Sequence, residues 1–151
     1  MAQICRLELQ SRIQSSPDKL FDLYKNKTHL MSKISPSKLQ GVNVLQGDGK
    51  SVGSVRLWTY NLLGRSVIAK DRIDDVDEKN MSITFEIIGG EVTKFYKSYK
   101  ANLTTYSDKG VNFAKWTLVY EKADETVPTP YANIDFLMNS TKEFDTNYLV
   151  K

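Results

Sequence analysis

Between residues 5 and 13 apolar and polar positions alternate: Cys5, Leu7, Leu9 and Ile13 share one register, and Arg6, Glu8, Gln10 and Arg12 share the other. A period of two puts each register on its own face of an extended chain, which predicts a half-buried strand. Ser16-Pro17-Asp18 then combines a hydroxyl suited to an N-cap, a proline suited to the first helical position and an early acid. Leu20, Phe21, Leu23 and Tyr24 follow at helical spacing and predict a short helix. A second short helix is expected from about Thr28 through Leu30, Met31 and Ile34, with Pro36 preventing its continuation.

From residue 39 the pattern is that of strands, over 39–45, 52–62, 67–76, 81–88, 92–106 and 111–121. Gly47-Asp48-Gly49-Lys50, Asp77-Glu78-Lys79-Asn80, Gly89-Gly90 and Ser107-Asp108-Lys109-Gly110 separate them with residues that reverse a chain. After Pro128 and Pro130 the period changes once more, and Ile134, Leu137, Met138, Thr141, Phe144 and Tyr148 fall along one helical face. About 20 helical residues at 1.5 Å each span ~30 Å, enough to lie across a whole curved sheet. The expected class is α+β, with one strand, two short helices, six strands in hairpin succession and a long closing helix around a single antiparallel sheet. No repeat or linker interrupts the chain, so residues 1–151 are expected to form one domain.

Composition narrows the functional classes. The chain is 40% hydrophobic and 26% charged, and at 151 residues it can bury roughly 70% of its unfolded surface without disulfides or a metal. Its single cysteine, Cys5, has no partner in the chain, which fits a reducing compartment. There are 21 Lys and Arg against 18 Asp and Glu, a net charge of +3, and the basic residues form no run or stripe. No nucleic-acid partner is expected. No apolar stretch approaches a membrane span, and the start lacks the apolar core of a secretory signal, so a cytoplasmic location is expected.

Familiar chemical motifs are absent or incomplete. Gly49-Lys50-Ser51 imitates the end of a phosphate-binding loop, but the glycine required five positions before Gly49 is Val44, and a strand follows instead of a helix. Gly47, Gly49 and Gly53 miss the dinucleotide fingerprint by one residue of spacing, leaving a glycine-rich hairpin loop as the better account. His29 is the only histidine, so Ser-His-Asp or Cys-His catalysis and zinc sites of the usual ligand sets are unsupported, and no metal or cofactor is expected. The acidic run Asp74, Asp75, Asp77, Glu78 lacks calcium-loop spacing and reads as a solvated turn. Lys115 shares a register with Phe113 and Thr117 and could project inward, yet the opposite register, Ala114, Trp116, Leu118 and Tyr120, is the more apolar one. On the strand around residue 58, Arg56, Trp58 and Tyr60 place a cation and two large rings on one side. Such faces make either a filled core or an apolar pocket with a few polar groups to orient a ligand.

The element order, the loop Gly47-Asp48-Gly49-Lys50-Ser51-Val52-Gly53, the segments 70–77 and 115–122, and the terminal Asp135-Phe136-Leu137, Thr141-Lys142-Glu143 and Tyr148-Leu149 together resemble the plant major latex proteins. These belong to the superfamily of the major birch-pollen allergen and the pathogenesis-related ligand-binding proteins. The resemblance covers essentially the whole chain. It implies a helix-grip fold, in which a seven-stranded antiparallel sheet wraps around a long C-terminal helix with two short helices beneath its end. It also implies a hydrophobic cavity between sheet and helix. Carried over residue by residue, the lining would comprise Phe21 and Tyr24 from the first helix and Leu30 from the second. Arg56, Trp58, Tyr60, Ile68, Ile83, Phe85, Ile87, Tyr99, Ala101 and Leu103 would come from strands, and Phe136, Leu137, Ser140, Thr141 and Phe144 from the last helix. Gly47, Gly49 and Gly53 would form the family's glycine-rich loop.

The resemblance implies a non-catalytic binder of small hydrophobic plant molecules, such as hormones, sterols, flavonoids or lipids, in defence or stress responses. Arg56, Tyr60 and Tyr99 are the expected polar handles. Some relatives are cavity enzymes of alkaloid metabolism, and here Lys115 and Tyr99 would take the parts of lysine and tyrosine. Others signal by docking a phosphatase, for which the short loop at 47–53 offers no support. Ribonuclease activity has no support either, since there is no histidine pair and no basic groove.

Overall fold

The computed structural model describes residues 3–150, so Met1, Ala2 and Lys151, the ends of the expected 1–151 span, lie outside the described residues. The chain runs β1 (Ile4–Ile13), α1 (Pro17–Asn26), a 3-10 turn (Thr28–Leu30), α2 (Met31–Ile34), β2 (Leu39–Gln46), β3 (Val55–Leu62), β4 (Arg65–Asp77), β5 (Ser82–Gly90), a 3-10 turn (Val92–Lys94), β6 (Tyr96–Asp108), β7 (Val111–Lys122) and α3 (Tyr131–Phe144). A π-helical turn (Asp145–Leu149) closes α3. The strands form one seven-stranded antiparallel sheet in the order β1-β7-β6-β5-β4-β3-β2. The helix-grip architecture expected from the sequence is present, with one face of the sheet packed against α1 and α3.

Local chemistry places the element ends. Ser16 stands at the N-cap of α1 in an extended conformation, but its side chain makes no capping bond, and the helix start relies on Pro17 and on the Ser16 carbonyl, which accepts from Lys19 and Leu20. Strand β3 begins at Val55 rather than 52, because Gly53 at φ +92° breaks the extended run and leaves Val52 in the loop. The strand expected from residue 92 begins at Tyr96 instead. Gly89 and Gly90 remain in β5, and the reversal follows them. Gly90 sits at φ +99°, where a Cβ would lie 2.3 Å from the Ile68 carbonyl oxygen, so this close approach of β5 to β4 requires glycine. Irregularities in β2, β4 and β6 interrupt the pairing register and let long strands curl around the helix.

The last helix is α-helical for 14 residues and widens where Asp145 is held. The Asp145 carboxylate is buried and accepts from the Gln14 amide at 2.7 Å, the Ser15 amide at 2.8 Å and the Ser15 hydroxyl at 2.5 Å. It ties the C-terminal end of α3 to the junction of β1 and α1. Tyr148, expected on the apolar face, lies beyond this anchor and is partly exposed. Removing the carboxylate strands the buried amide and hydroxyl of Ser15 and breaks the part-buried bond from Gln14, so Asp145→Ala is expected to lower unfolding stability by about 2–4 kcal/mol. Urea denaturation would show this as a lower midpoint at unchanged slope, and a midpoint within error of the native protein would refute the anchor.

Candidate functional site

Cross-strand register decides which side chains face α3. Trp58 pairs with Ala69, Tyr60 with Val67 and Arg56 with Asp71, and directly opposed residues share a face. The inward register of β4 is therefore Val67, Ala69, Asp71 and Ile73, all buried. Ile68, expected on the cavity wall, is 49% exposed on the opposite face. The same logic turns Ala114, Trp116, Leu118 and Tyr120 of β7 inward and leaves Lys115 on the outer face, opposite Gln10 and Thr104. The lysine expected for an enzymatic role is absent from the cavity wall.

Between the inward register and α3 lies a cavity of about 130 Å³. Of the residues expected to line it, Tyr24, Arg56, Trp58, Tyr60, Phe85, Ile87, Tyr99, Ala101, Phe136, Leu137, Ser140 and Phe144 are brought together on its wall. Phe21, Ile83, Leu103 and Thr141 are buried in the surrounding core, and Leu30 is half-buried in the first 3-10 turn. The wall also holds Met31, Leu39, Leu62, Ala69, Asp71, Val92, Trp116 and Asn133, which the sequence reading passed over. For Trp116 the signal was present in the apolar register of β7, and for Asp71 it was an acid alternating with Val67, Ala69 and Ile73.

One polar arrangement interrupts the apolar wall and a second lies behind it. Arg56, 1% exposed, donates from Nε and Nη2 to the two carboxylate oxygens of Asp71 at 3.1 and 2.8 Å. Trp58 Nε1 adds a third bond to Asp71 at 3.1 Å, and the guanidinium carbon lies 5.0 Å from the Trp58 ring centre and 5.1 Å from that of Phe85. Burial pushes the Asp71 carboxyl up, opposed by the attraction of Arg56 and the bonds from Arg56 and Trp58. The second arrangement centres on Thr141, whose hydroxyl donates to the Leu137 carbonyl at 2.8 Å. With its proton so placed, Thr141 accepts from Trp116 Nε1 at 2.9 Å and from the Tyr24 hydroxyl at 2.7 Å. The neighbouring Ser140 hydroxyl, buried on the wall, has no partner.

The glycine-rich loop lies apart from this wall. Asp48 organises it by accepting from the amides of Lys50 and Ser51 and from the hydroxyls of Ser51 and Ser54, and the Lys50 amide leads in holding its carboxyl well below the usual range. Gly47 has φ +80°, and a Cβ there would meet Ser54 Oγ at 2.7 Å. The acidic run is engaged in ion pairs and a turn: Asp74 with Arg72 and Lys100, Glu78 with Lys25, and Asp77 with Asn80. His29 is exposed.

This fold agrees with the comparisons. The model of the pathogenesis-related protein Bet v 1 family matches residues 2–151. The chain belongs to that family. MLP-like protein 31 of Arabidopsis thaliana is 33% identical over 95% of this chain and 85% of its own length. MLP-like protein 28 of the same plant is 34% identical over 97% of this chain, which spans only 44% of that relative. The crystal structure of ginseng major latex-like protein 151 from Panax ginseng superposes with a TM-score of 0.93 at 30% identity, covering 97% of this chain and 98% of the other. Norcoclaurine synthase from Thalictrum flavum, in complex with dopamine and hydroxybenzaldehyde, shares the fold with a TM-score of 0.75 at 14% identity, covering 95% and 87%.

In this member of the Bet v 1 family the buried ion pair is fixed by mutual dependence. Asp71→Asn leaves a buried guanidinium without its counter-charge and is expected to cost about 3–5 kcal/mol in urea denaturation. Arg56→Met combined with Asp71→Leu removes both charges and is expected to cost only about 1–2 kcal/mol, most of it from the Trp58 indole losing its acceptor. A double variant as unstable as the single one would refute this coupling.

Burial also raises the phenols of Tyr24, Tyr60 and Tyr99, that of Tyr60 to about 12. Their folded values lie above the unfolded value of 10.0, so folding favours the protonated form. Their stabilisation is complete below pH 10 and is lost as pH rises through the folded values. A tyrosinate absorbance titration is expected to leave at least these three of the eight tyrosines silent until alkaline unfolding. Ionisation of all eight near pH 10 with native circular dichroism would contradict the burial.

Proposed function

We propose that this protein binds and carries a small hydrophobic molecule in the cavity between its sheet and α3, as part of defence or stress responses in a cytoplasmic setting. The observation that carries this reading is a roughly 130 Å³ space whose wall is aromatic and aliphatic except for a charge-paired Arg56–Asp71, the amide-bearing Asn133 and a few hydroxyl-bearing residues. Apolar burial supplies affinity there at about 25 cal/mol per Å² of ligand surface, and few polar groups are available to impose tight selectivity. Family membership and the major-latex-like relatives support binding. Carriage is favoured over catalysis because Lys115 lies on the outer face and the Asp71 carboxylate is already bonded three times. The cysteine without an intrachain partner supports the cytoplasmic setting.

A graded panel of toluene, naphthalene and cholesterol tests the reading, with binding followed by tryptophan emission, since Trp58 and Trp116 both face the cavity. At least one member is expected to saturate at one-to-one stoichiometry. Ala101→Leu, which adds three heavy atoms at the wall, is expected to weaken that binding at least tenfold while circular dichroism stays native. Absence of saturation by every member of the panel would sink the proposal.

A further inference from the structure

A guanidinium carries its N–H donors in one plane, on Nε, Nη1 and Nη2. In Arg56 the Asp71 carboxylate takes one edge of that plane, accepting from Nε at 3.1 Å and from Nη2 at 2.8 Å. Nη1 lies on another edge, turned away from the carboxylate, and has no hydrogen-bond partner among the described residues.

That nitrogen borders free space. Among the described residues that are not exposed, Ser140 Oγ is the side-chain polar atom that is both unpartnered and closed off from any free volume. Nη1 is unpartnered without being closed off, and Arg56 as a whole is only 1% exposed, so the free volume it meets is the cavity that Arg56 lines. The cavity therefore holds a charged donor with no acceptor.

The donor is also held rigidly. The two bonds to Asp71 set the guanidinium plane, and the rings of Trp58 and Phe85 flank it, with centres 5.0 and 5.1 Å from its carbon. A hydrogen bond from a charged donor is roughly twice as strong as one between neutral groups, and it is stronger still where water is sparse. Other donors on the wall are weaker or already used. The Tyr60 and Tyr99 hydroxyls are neutral, while the Trp58 and Trp116 indoles are bonded to Asp71 and Thr141. A guanidinium has no acceptor of its own, so the group that completes Nη1 is an oxygen with a free lone pair. Arg56 and Asp71 balance each other's charge and are the charged residues of the wall, so a carbonyl meets the donor without unbalancing the pair.

Resting on the carrier reading above, we propose that the cavity takes an apolar molecule bearing a carbonyl oxygen, which accepts from Arg56 Nη1 while the apolar body lies against Trp58 and Phe85. Asp71 is a positioning residue in this arrangement, because it holds the guanidinium with Nη1 toward the cavity.

Acetophenone and α-methylstyrene test the proposal, since they share one shape and differ by a carbonyl oxygen in place of a methylene carbon. Binding is measured by titration calorimetry at pH 7.5. A wholly apolar wall would favour the hydrocarbon, which loses less hydration on entry. Acetophenone is instead expected to bind at least as tightly as α-methylstyrene. Arg56→Met combined with Asp71→Leu removes the donor and its counter-charge together, and is expected to shift the ratio of the two affinities toward the hydrocarbon by about tenfold or more at native circular dichroism. A second readout needs no variant: the infrared carbonyl stretch of bound acetophenone, labelled with carbon-13 at the carbonyl, is expected at lower frequency than in a hydrocarbon solvent. Tighter binding of α-methylstyrene by the native protein, an unchanged ratio in the folded double variant, or a carbonyl stretch equal to that in hydrocarbon would each overturn the proposal. Saturable binding of α-methylstyrene, toluene, naphthalene or cholesterol without acetophenone would overturn it and leave the carrier reading standing. No binding by any of the five would remove both.

Discussion

One helix cannot cover a sheet of seven strands. Six inter-strand spacings make such a sheet about 29 Å wide, while a helix with its side chains is only about 10 Å across. A flat arrangement would expose most of one apolar face. The sheet must therefore curl, and the breaks in register at Lys70/Asp71 and Ile73/Asp75 of β4 and at Tyr96/Ser98 of β6 interrupt the ladders where it curls. Curling around a single cylinder leaves unequal distances between wall and helix. Large rings fill them: Tyr60 reaches Phe136 at 5.1 Å between centroids, and Tyr24 bridges Trp116 and Phe144 at 5.6 and 5.9 Å. The cavity is the volume these rings do not reach.

Within that volume the polar groups serve to define the packing more than to strengthen it. A buried ion pair recovers its desolvation cost only with good geometry, and hydrophobic residues of similar size often do as well. Arg56 and Asp71 do have good geometry, with two parallel bonds, an indole donor and aromatic rings beside the guanidinium. Because β3 and β4 must align Arg56 with Asp71, any slip by one residue would leave two buried charges apart. The pair thus fixes the register of β3 against β4, which in turn holds Trp58 and Tyr60 on the cavity side. Thr141 performs a similar service across the helix, holding Tyr24 and Trp116 by one hydroxyl whose proton is already committed to Leu137.

Much of this was legible in the sequence because period two and period 3.6 are strong local signals. The alternation of 5–13, the punctuation by glycine and aspartate, and the prolines before α3 specify element order without any tertiary information. The family resemblance supplied the grip of sheet around helix. What stayed hidden depends on relations between elements. Ile68 and Val67 are equally apolar, and only pairing with Tyr60 assigns Val67 to the inside. Val92 extends a β-like run, yet the tight approach of Gly90 to Ile68 forces the chain to turn before β6. Asp71 read as one polar residue among Lys70, Arg72 and Asp74, because its partner Arg56 lies 15 residues away.

The same geometry explains how a shared backbone can host different chemistry. A TM-score of 0.75 persists at 14% identity to norcoclaurine synthase, so the curl and the single helix do not demand a particular wall. What the wall contains is set one register at a time. In β7 the inward set is Ala114, Trp116, Leu118 and Tyr120, and Lys115 is excluded from the cavity by a single step of the alternation. A reactive amine could enter only by replacing an inward residue, and Trp116 and Tyr120 are each held by aromatic neighbours on other elements. Packing of the rings and choice of chemistry are therefore one constraint: the contacts that keep the cavity apolar also keep Lys115 outside it.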